Sequence, residues 1–147
     1  MEMDPRCKES FDRQGLMTLL GARLVEAANG RAVIEVRYRE DLTHQHGYFH
    51  GGVVTSIADV ACGYAAYTTM PEDASVLTVE FKINLMNPAA GERLRAEATV
   101  RKAGRTLVVV AATVTVISGE RAIPCGEMLG TFIVLRNTSD VEQRVRS

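Results

Sequence analysis

Residues 51–70 read GGVVTSIADVACGYAAYTTM, and the reading of this stretch decides the architecture. It holds no proline, and Val53, Ile57, Val60, Tyr64 and Tyr67 recur at intervals of three and four, which predicts a helix over 52–69 with one broad apolar face. No other segment combines that length with that periodicity. Downstream the period falls to two. Leu77, Val79, Phe81, Ile83 and Leu85 alternate with Thr78, Glu80, Lys82, Asn84 and Met86, a half-buried strand over 77–86 that Asn87-Pro88 stops. Residues 93–101 alternate again, Lys102-Ala103-Gly104-Arg105 reads as a turn, and 106–117 is rich in β-branched side chains. A turn at Ser118-Gly119-Glu120 leads into a last strand over 121–135, where Pro124 and Gly126 predict a bulge or an edge position.

Upstream of the long helix, Ala32, Ile34, Val36 and Tyr38 alternate with Glu35, Arg37 and Arg39. With residues 22–28 before them and Asn29-Gly30 between, they read as a hairpin on a type I′ turn. Phe11, Leu16, Met17, Leu19 and Leu20 predict a short opening helix over 10–20 with Ser10 as its N-cap. One apolar helix among these antiparallel strands buries its face only against a single curved sheet. The expected class is therefore α+β: one long central helix wrapped by a curved antiparallel sheet of five to six strands, with a short N-terminal helix. Residues 1–9 are read as a flexible N-terminus, 10–136 as a single domain and 137–147 as a polar C-terminal tail.

The 147 residues, 46% of them hydrophobic, suit one domain that needs no disulfide or metal to hold it. Seventeen Lys+Arg against eighteen Asp+Glu leave a net charge of −1 and no basic field for phosphates, so nucleic acid is not an expected partner. Cys7, Cys62 and Cys125 form no C-x-x-C pair, which excludes a zinc module and points to a reducing compartment. The first ten residues lack the apolar core of a signal peptide, and Asp59 interrupts 51–70 as a membrane span. A cytoplasmic location with no membrane partner is expected.

All three histidines, His44, His46 and His50, lie within seven residues and run into Gly51-Gly52. Imidazoles at this spacing could share a metal ion, but Asp41 is the one carboxylate near them. A second reading uses Gly51-Gly52 as a helix N-terminus whose free N–H groups attract an anion or a developing oxyanion; a plain tight junction between loop and helix is the alternative. Asp59 is the strongest single signal, the one formal charge between Gly51 and Met70 on a helix suited to burial. It marks either a functional carboxylate bordered by Thr55, Ser56, Gly63 and Ala66, or a side chain that faces solvent at the helix edge. Eight residues of helix separate Gly51 from Asp59, about 12 Å of rise, so the two cannot grip one reacting atom within one chain. A site that uses both needs a symmetric dimer.

The run His44-Gln45-His46-Gly47-Tyr48-Phe49-His50-Gly51-Gly52, with Asp59 nine positions after His50, resembles the signature Asn-x-x-Gly-x-x-His-Gly-Gly and later Asp or Glu of hotdog-fold acyl-CoA thioesterases, in their phenylacetate-pathway (PaaI-like) branch. The resemblance continues through Thr78-Val79-Glu80-Phe81-Lys82-Ile83, Asn87-Pro88-Ala89 and Arg101-Lys102-Ala103-Gly104-Arg105. It implies one helix wrapped by an antiparallel sheet, and homodimers with shared active sites, paired into dimers of dimers. Position by position, it implies Asp59 as general base or nucleophile, the Gly51 N–H as oxyanion donor, His50 beside the leaving thiol, and Thr78 as a group that positions water. Gly47, Gly52 and Gly63 fall where substrate passes. Arg101, Lys102, Gly104 and Arg105 fall on the segment that meets the phosphates of CoA, although a solvated basic hairpin reads the same way. The family's leading Asn is His44 here, so either His44 or Gln45 supplies that contact. The implied reaction converts an acyl-CoA to free acid and CoA with no metal and no cofactor beyond the CoA of the substrate. A non-catalytic acyl-CoA-binding protein, a hydroxyacyl-thioester dehydratase and a metal-dependent hydrolase built on the histidine loop are the alternatives.

Overall fold

The computed structural model describes residues 1–138; the polar tail expected over 137–147 lies, from residue 139 on, outside the described residues. The chain opens with two short helices, α1 (Pro5–Asp12) and α2 (Gly15–Leu20), and a hairpin of β1 (Arg23–Ala28) and β2 (Arg31–Arg37). A 3-10 turn (Glu40–Leu42) and a loop precede the long helix α3 (Gly51–Tyr67). Then come β3 (Ser75–Leu85), β4 (Arg93–Ala103), β5 (Leu107–Ser118) and β6 (Arg121–Leu135). All six strands join one antiparallel sheet in the order β1-β2-β4-β5-β6-β3, wrapped around α3 as expected. Among the described residues no helix is long and apolar enough to cross a membrane.

The opening of the chain corrects the sequence reading. The first helix starts at Pro5, not Ser10, and its N-cap is Asp4, whose side chain accepts the Arg6 N–H at 2.9 Å. An Asp-Pro pair is a strong start signal, because the acid caps the first free N–H groups and proline at N1 has none to leave unsatisfied. Within residues 1–9 the backbone is bonded to β1 and one side chain is buried. Asp4 N–H donates to the Ala27 carbonyl, Ala27 N–H to the Glu2 carbonyl, and Cys7 is fully buried. Ser10 lies inside the helix and receives the Tyr64 hydroxyl at 3.1 Å.

The Asn29-Gly30 turn has φ of 51° and 76°, the left-handed pair that a type I′ turn requires. The bulge expected near Pro124 is present: Val114 pairs with Gly126 and Thr115 with Pro124, leaving Cys125 as the extra residue. Ala58, Ala61, Ala65 and Ala66 on α3 are fully buried, and these small side chains let the helix sit close to Leu94, Val110, Val114 and Phe132 of the sheet.

Strand β3 departs from the half-buried strand expected. Among the described residues it pairs with β6 alone, at the edge of the sheet, and Leu77, Val79, Phe81 and Leu85 are exposed. A register shift between Thr78 and Glu80 places Val79 in a bulge. Thr78, Phe81, Ile83 and Leu85 pair with Phe132, Gly130, Met128 and Gly126, on the side of the sheet that faces α3. The helix covers that side incompletely, so Phe81 remains 39% and Leu85 55% exposed. A long apolar edge is unusual on a lone subunit.

Candidate active site

The loop ahead of α3 is tied at both ends. His44 N–H donates to the Tyr48 carbonyl at 3.0 Å, Gly47 N–H to the His44 carbonyl at 3.0 Å, and Gly47 takes the turn with φ of 80°. Phe49 is the anchor, buried at 1% exposure with its ring edge-on to Tyr38 at 5.5 Å. His50 N–H then donates to the Leu42 carbonyl at 2.9 Å, which aims the imidazole along the start of the helix.

His50 is the N-cap of α3, and its Nδ1 accepts the Gly52 N–H at 2.8 Å. With Nδ1 an acceptor, the neutral ring carries its proton on Nε2, so His50 presents a donor to the outside. The cap also engages the Gly52 amide within the chain. The Gly51 N–H has no acceptor among the described residues and stands free at the positive end of the helix. A Cβ on Gly51 would come within 2.8 Å of Leu85 Cδ1, the end of an exposed side chain on β3. His44 is half-buried, its Nδ1 accepts the His46 N–H at 3.0 Å, and its ring lies 5.7 Å from Tyr48 and 6.5 Å from His50. Gln45 is exposed at the loop tip. Among the described residues no three His, Cys, Asp or Glu side chains converge as metal ligands would.

Asp59 is half-buried at the middle of α3, and the Thr78 hydroxyl donates to its Oδ1 at 2.8 Å. Nineteen residues separate the pair in sequence; the position of β3 beside the helix unites them. Burial pushes the Asp59 carboxyl above its ordinary range, and the Thr78 hydrogen bond acts against that shift. Oδ2 has no hydrogen-bond partner among the described residues. One turn on, burial and the Asp59 charge push the Cys62 thiol up to about 12, so it stays protonated and inert. Gly63 follows on the partly exposed side of the helix, where a Cβ would meet only ordinary contact with Phe132 at 3.8 Å.

The basic hairpin stands apart. Gly104 N–H donates to the Leu107 carbonyl at 2.9 Å, and a Cβ there would meet that carbonyl oxygen at 2.5 Å, so the turn requires glycine. Arg101, Lys102 and Arg105 are exposed. Val100 N–H donates to the Gly30 carbonyl, and Gly30 N–H to the Thr68 hydroxyl, which sets this hairpin at the C-terminal end of α3. The histidine loop is at the other end, about 25 Å of helix away. Within one chain the structure thus unites His44, His50 and Gly51, and separately Asp59 and Thr78, but it brings neither group to Arg101–Arg105.

The sequence reading missed a groove of about 460 Å³ beside His50. Its walls include Leu19 and Leu20 of α2, Leu42, and Val53 and Ser56 of α3. These residues come from three separate segments and each reads as ordinary core or surface, so no local pattern marks them.

Residues 46–123 match the model of the Thioesterase superfamily. A thioesterase family protein from Silicibacter pomeroyi, known from its crystal structure, superimposes with a TM-score of 0.87 at 44% identity, over 89% of this chain and 96% of that one. A protein of Saccharolobus solfataricus classed as an esterase is 30% identical over 135 residues, 92% of this chain and 87% of the relative. Human acyl-coenzyme A thioesterase 13 is 32% identical over 93 residues, 63% of this chain and 66% of the relative.

Proposed function

The chain belongs to the thioesterase superfamily, and from that premise we propose that it hydrolyses acyl-CoA thioesters to the free carboxylic acid and CoA, as a member of the PaaI-like branch. The reading rests on one observation above all: a half-buried carboxylate, Asp59, on an apolar helix, held among the described residues by a single hydroxyl and with its second oxygen open. Such a group has an energetic cost that packing does not repay. A carboxylate whose proton affinity burial raises suits a base or nucleophile.

In the proposed mechanism the thioester carbonyl oxygen accepts the Gly51 N–H of one subunit, next to the helix dipole. Asp59 of a second copy faces the carbonyl carbon from the other side. It takes a proton from water as the water oxygen bonds to that carbon, or it attacks the carbon itself and water later cleaves the anhydride. The C–S bond breaks when the tetrahedral intermediate collapses; the Nε2–H of His50 donates a hydrogen bond to the departing sulfur as charge develops on it, and the proton released from water passes by way of Asp59 to the thiolate. Thr78 holds the Asp59 carboxylate in position, and His44 or Gln45 contacts the carrier arm. Arg101, Lys102 and Arg105 of the second copy meet the CoA phosphates. The reaction as written uses neither metal nor redox cofactor.

The second copy has support of its own. The apolar edge of β3, with Val79, Phe81 and Leu85 exposed, is a surface that a homodimer would cover. On the outer face of the sheet Leu77 and Leu107 both pair with Ile133, and with exposed Leu129 they suit the pairing of two dimers.

The test is release of free thiol from short, medium, long and aromatic acyl-CoAs by the parent protein and by Asp59→Asn. The proposal expects turnover by the parent and a loss of about a thousandfold or more in the variant, as for other groups that act on the reacting atoms. Full activity in Asp59→Asn removes the carboxylate from the mechanism. Binding of acyl-CoA without turnover by either protein moves the chain to a carrier or regulatory role.

A further inference from the structure

We infer that the groove between α2 and α3 holds the acyl chain of the substrate and selects linear aliphatic chains, with Leu19 of α2 as a specificity-determining residue. The inference rests on the thioesterase reading above for the chemistry, and on the groove's own walls for the selectivity.

Position is the first argument. His50 and Gly52 line the groove, and they flank the free N–H of Gly51 on either side in the chain. A thioester whose carbonyl oxygen sits on that N–H lies at the groove's mouth, with room on one side for the chain attached to the carbonyl carbon.

The second argument is the chemistry of the walls. Leu19, Leu20, Leu42 and Val53 are aliphatic, and among the described residues no Phe, Tyr or Trp ring lines the cavity. The Ser56 hydroxyl donates to the Gly52 carbonyl at 2.7 Å, so its proton is engaged within the helix. At the rim Arg39 is neutralised by Asp41, with Nε to Oδ1 at 3.0 Å, and the same guanidinium donates to the Leu19 carbonyl at 3.0 Å. The groove therefore offers apolar surface and no uncompensated charge for a carboxylated chain. Its volume of about 460 Å³ exceeds a single small ring but falls in the lower half of the range of small-molecule pockets, roughly 300–1,000 Å³.

Leu19 supplies the third argument. It is 69% exposed although it borders an apolar cavity, and the bond from Arg39 to its carbonyl pins the helix that carries it. An extended chain in the groove would cover it.

The test compares the parent, Leu19→Asp and Leu16→Asp on butyryl-, octanoyl-, dodecanoyl- and phenylacetyl-CoA. Leu16 is also exposed on α2 but does not line the groove, so its variant controls for charge on that helix. In the parent, kcat/KM should rise about two- to fourfold per methylene until the groove is full, with octanoyl above phenylacetyl. Leu19→Asp should lower the dodecanoyl-to-butyryl ratio at least tenfold, mainly through KM, whereas Leu16→Asp should keep the ratio. An unchanged ratio in a Leu19→Asp protein with the parent's circular dichroism, or a parent that favours phenylacetyl, overturns the inference. Calorimetric binding of the thioether S-dodecyl-CoA separates the two readings. If no thioester is cleaved but the analogue binds Leu19→Asp at least tenfold more weakly than the parent, the thioesterase reading fails and the groove stands. Equal binding to both proteins refutes the groove whatever the activity.

Discussion

Thr78→Val removes one hydroxyl and little else, and the structure fixes what should follow. The Thr78 hydroxyl donates to Asp59 Oδ1 at 2.8 Å, and this bond opposes the upward shift that burial imposes on the carboxyl. A hydrogen bond to a charged group stabilises by about 1.5–3 kcal/mol, but Asp59 is half-buried and Thr78 exposed, so solvent screening leaves about 1 kcal/mol. Without it, the carboxylate should bind its proton about fivefold more tightly. The acidic limb of kcat/KM, which reports the free enzyme's essential base, should move to higher pH by roughly 0.7 of a pH unit. Stability should follow with a defined sign. A carboxyl whose folded value lies above its unfolded one weakens folding as pH rises from the unfolded value through the folded value, and it has no such effect below both. The variant should therefore be less stable than the parent at pH 7 by about 1 kcal/mol, a gap that closes as the pH falls through the carboxyl's raised folded value toward the ordinary one of about 4. Steady-state pH profiles and thermal unfolding at the two pH values check both halves, and Thr78→Ser should restore both. An acidic limb that stays in place, or moves to lower pH, refutes the coupling of Thr78 to Asp59.

The same reasoning gives Asp59→Asn a second signature besides its lost turnover. The amide keeps an oxygen for Thr78 and sheds the half-buried charge, so thermal unfolding should find the variant at least as stable as the parent at pH 7, with any advantage fading in acid. His50→Ala removes the N-cap of α3 and should cost about 0.5–2 kcal/mol in denaturant unfolding along with activity. His50→Asn, with a good capping side chain but no imidazole, should recover the stability and not the rate.

Elements with a complete local signal were legible. The period of three and four over 52–69 gave α3 as Gly51–Tyr67, and Asn29-Gly30 gave its turn, because each pattern is set within a few residues by backbone geometry. At the opening the signal is present but divided: Asp4-Pro5 is a stronger helix start than Ser10, and the apolar residues 16–20 belong to a second short helix, α2. The fault at β3 was of another kind. Alternation from Leu77 to Leu85 shows that one face is apolar and does not show what covers it, and the helix of the same chain leaves Phe81 and Leu85 exposed. Within the site, Asp59 stood out as a lone charge on an apolar helix, whereas its pairing with Thr78 depends on the order of strands across the sheet. The groove beside His50 depends on three segments at once, and no short pattern encodes it.

Gly51 and Asp59 belong to one rigid helix, which makes the proposed site a statement about subunits that can be tested without a structure of the dimer. The two positions are separated by about 12 Å of rise, so no rearrangement short of breaking α3 lets one chain place both at a single carbonyl. Each site must then take its loop from one chain and its carboxylate from the other. Two inactive variants, His50→Ala and Asp59→Asn, should complement when their subunits are unfolded together and reassembled. In a mixed dimer one site carries both lesions, while the other combines an intact His50 from the Asp59→Asn chain with an intact Asp59 from the His50→Ala chain. Random reassortment makes about half of the dimers mixed, each with one working site of two, so about a quarter of the parental turnover should return. A site within a single chain allows no recovery at any mixing ratio. Mixtures that form mixed dimers by mass spectrometry and still release no thiol beyond the two variants alone would therefore remove the shared site.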